Sequence, residues 1–146
     1  MSFIEQLLKD YPNGSEALLT IMAIDPELVD IINSKKELTL ILPTNSGLLR
    51  SYNQCSRECL ENESFANLKK IFRYHVIPTL VSSRGGYKSL AGDVVLFNPL
   101  GYINDKWPIE KVLNYEGKRV IIIDHGMWPK SVLMCCRENR IYLYSQ

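Results

Sequence analysis

Several signatures that would point to a function are missing from this chain, and each absence removes a class. No basic block longer than a pair occurs, and 17 basic residues stand against 16 acidic ones for a formal net charge of +1. A nucleic-acid or anionic-membrane partner, which needs a basic stripe, is therefore not expected. No apolar run approaches the ~20 residues that span a bilayer. There is no Gly-x-Ser-x-Gly elbow, no Gly-Lys-Ser/Thr phosphate loop and no Arg-Gly-Asp tripeptide. Histidine is scarce, only His75 and His125. Of the four cysteines, Cys55 and Cys59 are neighbours if helical, whereas Cys135 and Cys136 alternate faces if in a strand. Their even count permits three pairings. A zinc site calls for a tighter pair and more histidine. Free thiols are the expected state, a single disulfide the next, and no metal or cofactor is expected.

The amino terminus also lacks something. Residues 1–8 carry no basic segment, continuous apolar core or small-residue cleavage site, so they do not read as a signal peptide. Either an intracellular protein or a mature or trimmed piece of a secreted one fits. The sequons Asn13-Gly14-Ser15 and Asn62-Glu63-Ser64 make Asn13 and Asn62 glycosylation candidates on a secreted surface.

What is present reads as a globular domain. The 146 residues are 46% hydrophobic and 23% charged, suited to one domain over 1–146 that buries about two thirds of its unfolded surface. The first third is helical: Phe3, Ile4, Leu7 and Leu8 share a face, Ser15 opens a second segment, and Asp25-Pro26-Glu27 starts a third. Ser64 is the expected cap of a helix carrying Phe65, Leu68, Ile71 and Phe72. Beyond Pro78, glycines punctuate short β-prone runs at 87–91, 94–98, 101–104 and 119–124. Ile109, Val112 and Leu113 suggest a helical turn within 105–115. Gly85-Gly86 reads as a turn, and the tail 132–144 as a hairpin around 137–140. Helices first and strands later predict an α+β fold.

Three phrases stand out. Leu38-Thr39-Leu40-Ile41-Leu42-Pro43-Thr44-Asn45 is a buried strand halted by proline and turned into a helix. Phe72-Arg73-Tyr74-His75-Val76-Ile77-Pro78 is a helix end, and Ile121-Ile122-Ile123-Asp124-His125-Gly126-Met127-Trp128-Pro129 is an apolar strand with a polar close. In that order they resemble the fasciclin-like domain family over residues 3–129, with 130–146 an addition. Leu42 stands where the family usually has alanine, and Thr79 where glycine commonly follows the Tyr-His phrase. The resemblance implies a β-wedge or sandwich with helices packed around it, and a non-enzymatic adhesion or extracellular-matrix module. The implied partner is a cell-surface receptor or a matrix protein or glycan, with homophilic contact open, and the implied location is extracellular or the cell surface.

The resemblance places adhesion at Tyr74 and His75, with Val76 and Ile77 as their apolar setting. Tyr142 and Tyr144 share a face if the tail is a strand, and they complete the expected binding surface. Trp107 and Trp128 fill core more readily than they form an exposed strip. His75 reads as a structural histidine, and Asp124 as a surface turn with His125 incidental. The core is expected to include Leu40, Leu42, Phe72, Ile121 and Ile123. Two alternatives stay open: a small-ligand or scaffold protein, intracellular or lumenal, reusing the fold, and a hydrolase around His75 with Ser82 or Ser83 as nucleophile.

Overall fold

Strand β1 (Leu38–Pro43) is buried at all six positions, so it must lie inside the sheet with material on both of its faces. It pairs in parallel with β7 (Lys118–Ile123), from Leu38 opposite Lys118 to Pro43 opposite Ile123. On its other edge it pairs antiparallel with the two-residue β2 (Val76–Ile77). The computed structural model describes the backbone of residues 1–139 and side chains through Cys136.

Among these residues the sheet has seven strands in the order β2-β1-β7-β6-β5-β4-β3. Here β3 is Gly85–Lys88, β4 Val94–Asn98, β5 Tyr102–Ile103 and β6 Trp107–Tyr115. All pairs except β1–β7 are antiparallel. A register shift between Ile109 and Lys111 puts a bulge in β6. One extra residue reverses the inward face of a strand. Trp107 and Ile109 accordingly join one core, and Leu113 and Tyr115 the other.

One sheet face is covered by helices. α1 (Phe3–Asp10), α2 (Ser15–Ile24), α3 (Pro26–Ser34) and α6 (Ala66–Tyr74) press Ile4, Leu7, Leu18, Ile21, Leu28, Ile32 and Phe72 against Leu40 and Leu42. On the opposite face Ile41, Ile121 and Ile123 meet Val95, Phe97 and Ile103, so the β3–β5 end folds back over β1 and β7. The five expected core residues are all buried, divided between the two faces.

Local signals explain the helix starts. Asp25 caps α3 through the Leu28 N–H at 3.2 Å, and Ser2 with Glu5 forms a capping box on α1. Asp25 also holds Arg73 at 2.8 and 3.0 Å. Burial pushes its carboxyl up, but the Arg73 bonds and charge outweigh that and keep it below the usual carboxylate range.

Several expectations are corrected. Residues Trp107–Tyr115 form strand β6, paired antiparallel with β7, in place of the expected helical turn. Residues Gly85–Lys88 form β3, so Gly85-Gly86 opens a strand. Ser64 has φ 55° and does not cap α6; Asn62 accepts from the Asn67 N–H instead, at 2.9 Å. Val132 and Cys136, four residues apart, are buried together on helix α7 (Lys130–Asn139), which replaces the first strand of the expected hairpin. Positions 141–144 lie outside the described residues. The cysteines are not free: Cys55 is bonded to Cys136 and Cys59 to Cys135.

Candidate functional site

The three phrases converge at the end of β1 and β7. Thr44 leaves β1 and caps α4 (Asn45–Tyr52) by accepting the Gly47 N–H at 3.1 Å. Its hydroxyl also donates to Asp124 Oδ1 at 2.5 Å, and Arg50 reaches Asp124 Oδ2 at 2.6 Å. The Thr44 bond, with the Arg50 guanidinium behind it, holds the Asp124 carboxyl below its ordinary range. Gly47 is required by this closeness, since a side chain there would strike the Asp124–His125 backbone. Asp124 is thus a clamp between two strand ends. His125 is not incidental either: it is buried and stacks on Trp107 at 3.9 Å between ring centroids.

His75 closes α6 and lies beneath this turn. Its Nδ1–H donates to the Ile71 carbonyl at 2.6 Å and its Nε2 accepts the Met127 N–H at 2.9 Å. That pattern fixes a neutral ring with the proton on Nδ1. Burial, the larger cause, brings its pKa down to about 4. With both nitrogens committed to backbone, the ring has no lone pair for a nucleophile. Ser82 and Ser83 are exposed, and the Ser83 hydroxyl lies 3.2 Å from the Tyr87 hydroxyl. Nothing in this geometry assembles the hydrolase.

The expected binding segment is interior. Tyr74, His75, Val76 and Ile77 are all buried, at 7%, 1%, 0% and 1% exposure, because they end a core helix and enter the edge strand β2, whose Val76 joins one core cluster and Ile77 the other. They form no open surface. Tyr142 and Tyr144 lie outside the described residues. Asn13 is exposed, whereas Asn62 is half-buried with its side-chain carbonyl on the Asn67 N–H.

Tyr74 nevertheless supports a surface. Its hydroxyl donates to the Val94 carbonyl at 3.4 Å and accepts from Asn104 Nδ2 at 3.0 Å, while Asn104 Oδ1 takes the Leu96 N–H at 2.8 Å. Asn104 has φ 54°, which asparagine tolerates better than most residues. Above this lattice, Val94 and Leu96 are 55% and 45% exposed while Val95 and Phe97 point into the core. Tyr102, opposite Asn98, lies on the same outward face and is 46% exposed. Gly86, opposite Leu96, adds no side chain to that face, and Val94 and Leu96 lie against the space its Cβ would take. The sequence reading missed this face, since a run of four apolar residues, 94–97, does not say which pair points outward.

A second feature lies among the helices. Thr20, Tyr52, Cys55, Arg57, Leu60 and Leu68 line a cleft of about 550 Å³. Burial there, with the Glu16 charge adding and the Thr20 bond opposing, pushes the Tyr52 hydroxyl up to about 12. Trp128 stacks on Tyr52 at 6.3 Å.

Among the described residues no helix is long and apolar enough to cross a membrane. Comparison with protein families matches the fasciclin domain over residues 16–121. No curated protein matches. Among solved structures, the fold is similar to a FAS1 domain pair from the insect cell adhesion molecule fasciclin I, with TM-score 0.63 and 18% identity. The similarity covers 80% of this chain and 46% of that one, about half its length.

Proposed function

The chain belongs to the fasciclin domain family, and we propose that it acts as a protein-binding module of the adhesion or matrix type. Residues 1–146 work as one domain that docks a partner on the outward face of β4 and β5. The observation that carries this reading is the pairing of an exposed apolar strip, Val94, Leu96 and Tyr102, with a buried polar lattice that holds it in place. Interfaces concentrate their energy in a few aromatic and apolar anchors on a rigid support. Tyr74 and His75 contribute as positioning residues beneath that face.

The partner class is a receptor or matrix protein or glycan at the cell surface, where Asn13 is open to glycosylation. The outer edge of β3 has no strand paired to it among the described residues, so a second copy could add there by strand pairing. The related structure comes from a cell adhesion molecule, and the fasciclin family is generally non-enzymatic. The cleft beside Tyr52 is the observation that keeps the small-ligand or scaffold reading as second choice. Cell attachment to the immobilised domain tests the first reading. Attachment that falls at least about fivefold in Leu96→Ser/Tyr102→Ala supports it. Attachment no higher than to a carrier protein defeats it.

A further inference from the structure

The four cysteines stand apart from the proposed binding face and join two helices that share no neighbouring sequence. Cys59 lies in α5 (Arg57–Leu60), Cys55 just before it, and Cys135 and Cys136 in α7. The bonded pairs have Cα separations of 4.6 Å for Cys55–Cys136 and 6.2 Å for Cys59–Cys135. The grouping is closer than two separate bonds require. The sulfurs of Cys55, Cys59 and Cys136 all lie within 4.8 Å of one another, and the fourth sulfur is bonded to Cys59. Cys59 Sγ and Cys136 Sγ, which are not bonded, stand 3.8 Å apart. Tetrahedral zinc with Zn–S bonds of about 2.3 Å places its sulfurs about 3.8 Å apart along every edge.

We propose that, once its disulfides are reduced, this cluster is a four-thiolate zinc site tying α5 to α7. Three further observations fit. The three intervening residues between Cys55 and Cys59 fall within the usual range for paired zinc ligands. The buried Asn67 amide points at the sulfurs, with Nδ2 at 3.5 Å from Cys59 Sγ and 3.8 Å from Cys135 Sγ while it also donates to the Cys59 carbonyl at 2.6 Å. Such N–H donors stabilise thiolates around a metal, and a neutral disulfide draws little from them. Cys55 also lines the cleft beside Tyr52, which supplies a path for the ion. The sequence reading expected no metal because it asked for a tighter cysteine pair and more histidine. The spacing of Cys55 and Cys59 is within the zinc range after all, and α7 supplies two further cysteines so that no histidine is needed.

The chemistry balances with an added dithiol. Each disulfide takes two electrons and two protons from one dithiol, which leaves as its own cyclic disulfide. A phosphine instead supplies the two electrons while one water supplies the two protons, and it leaves as the phosphine oxide. The four resulting thiols bind one zinc ion and release four protons, giving a site of charge −2. Two equivalents of a small-molecule disulfide reverse this: they take the four electrons of the thiolates and four protons from solvent and leave as thiols, while the protein returns to its two disulfides and the zinc departs as the free ion. The same residues therefore brace α7 in either redox environment.

The test uses the full chain, reduced with a phosphine that does not bind zinc, mixed with equimolar zinc chloride and passed over a sizing column. Native mass spectrometry is expected to find one zinc per chain with four protons displaced, and none on the oxidised protein. Cobalt chloride in place of zinc is expected to give the intense visible absorption of tetrahedral thiolate coordination. Asn67→Ala is expected to weaken zinc binding about 10–100-fold, as loss of a partner behind the ligands does. Cys135→Ser/Cys136→Ser is expected to abolish it. Should that double variant fail to fold, the cobalt spectrum of the parent decides alone. A reduced parent chain that keeps no zinc, or gives the weak spectrum of oxygen-coordinated cobalt, overturns the proposal.

Discussion

The two faces of β1 are built from the same strand yet held by different means. On the helical face, Leu40 and Leu42 meet aliphatic side chains from α1, α2 and α3 together with Phe72 of α6, and cohesion comes from packing. On the other face, Ile41, Ile121 and Ile123 meet a small apolar cluster edged by His75, Tyr74, Asn104 and His125, whose hydrogen bonds fix the turn positions. Packing alone leaves the outer layer free to shift, whereas a satisfied polar lattice specifies one arrangement. The difference teaches where stability and where display reside: the helical face anchors the domain, and the strand-covered face presents Val94, Leu96 and Tyr102.

Removing bulk from the helical face gives the largest expected loss. Leu42 is 1% exposed and packs against Gly14. Leu42→Ala is expected to cost ~2–5 kcal/mol through lost transfer energy and a cavity that α1 and α2 cannot fill. Urea unfolding measures it, and equal midpoints for mutant and parent would contradict an anchoring role for this face.

The polar face responds next, and it responds to pH. His75→Ala strands the Ile71 carbonyl and the Met127 N–H, an expected cost of ~1–3 kcal/mol. In the folded protein His75 titrates near 4 instead of 6.5. Between those values the unfolded chain takes up a proton that the folded chain refuses. Stability is thus full above pH 6.5 and falls as pH drops towards 4, by up to ~3 kcal/mol at ~1.4 kcal/mol per unit. Burial lowers His125 as well, so it acts in the same direction. Urea midpoints at pH 7.5, 6.0 and 5.0 should drop less steeply for His75→Ala than for the parent. Parallel slopes would mean that the ring is not held neutral.

The same contrast governs what sequence could reveal. The helical side was legible because its signals are local: Asp25-Pro26 starts α3, Pro43 stops β1 and Thr44 caps α4. The fasciclin resemblance was legible for a similar reason, since each phrase sits where one element becomes another. The strand-covered side depends on distant pairing. Ile109, Val112 and Leu113 have a helical spacing, and only the pairing of β6 with β7 reveals a strand. The Tyr74–Ile77 phrase was found, but its burial follows from β2 pairing beside β1 at the sheet edge with Val76 and Ile77 packed into the two opposite cores, which no local pattern states. The cysteine pairs are also non-local, at sequence separations of 81 and 76.

A smaller effect should separate support from surface. Tyr74→Phe keeps the buried ring but removes the hydroxyl shared by Val94 and Asn104. The expected loss is ~0.5–1.5 kcal/mol of stability, with attachment weakened beyond it because Val94 and Leu96 lose their fixed support. Amide hydrogen exchange in β4 should rise while exchange in β1 stays unchanged. A uniform rise across both strands would mean that Tyr74 serves the whole core and not the outer layer.

The smallest effect on stability belongs to the face itself, and there the comparison is most exposed to failure. Val94 and Leu96 are each about half open to solvent, so exchanging both for serine removes little buried area. Surface substitutions of this kind usually stay within ~0.5 kcal/mol. β4 keeps its ladder to β3, since serine leaves the backbone bonds at Gly86 and Lys88 in place. Attachment of the double variant is nevertheless expected to fall severalfold, because anchors at the centre of an interface outweigh their contribution to folding. The result depends on the two readouts diverging: unchanged urea midpoint, reduced attachment. If both fall together, these side chains are part of the fold's support, and the display role must move elsewhere. If neither falls, this face is inert and the cleft beside Tyr52 becomes the better place to look for a ligand.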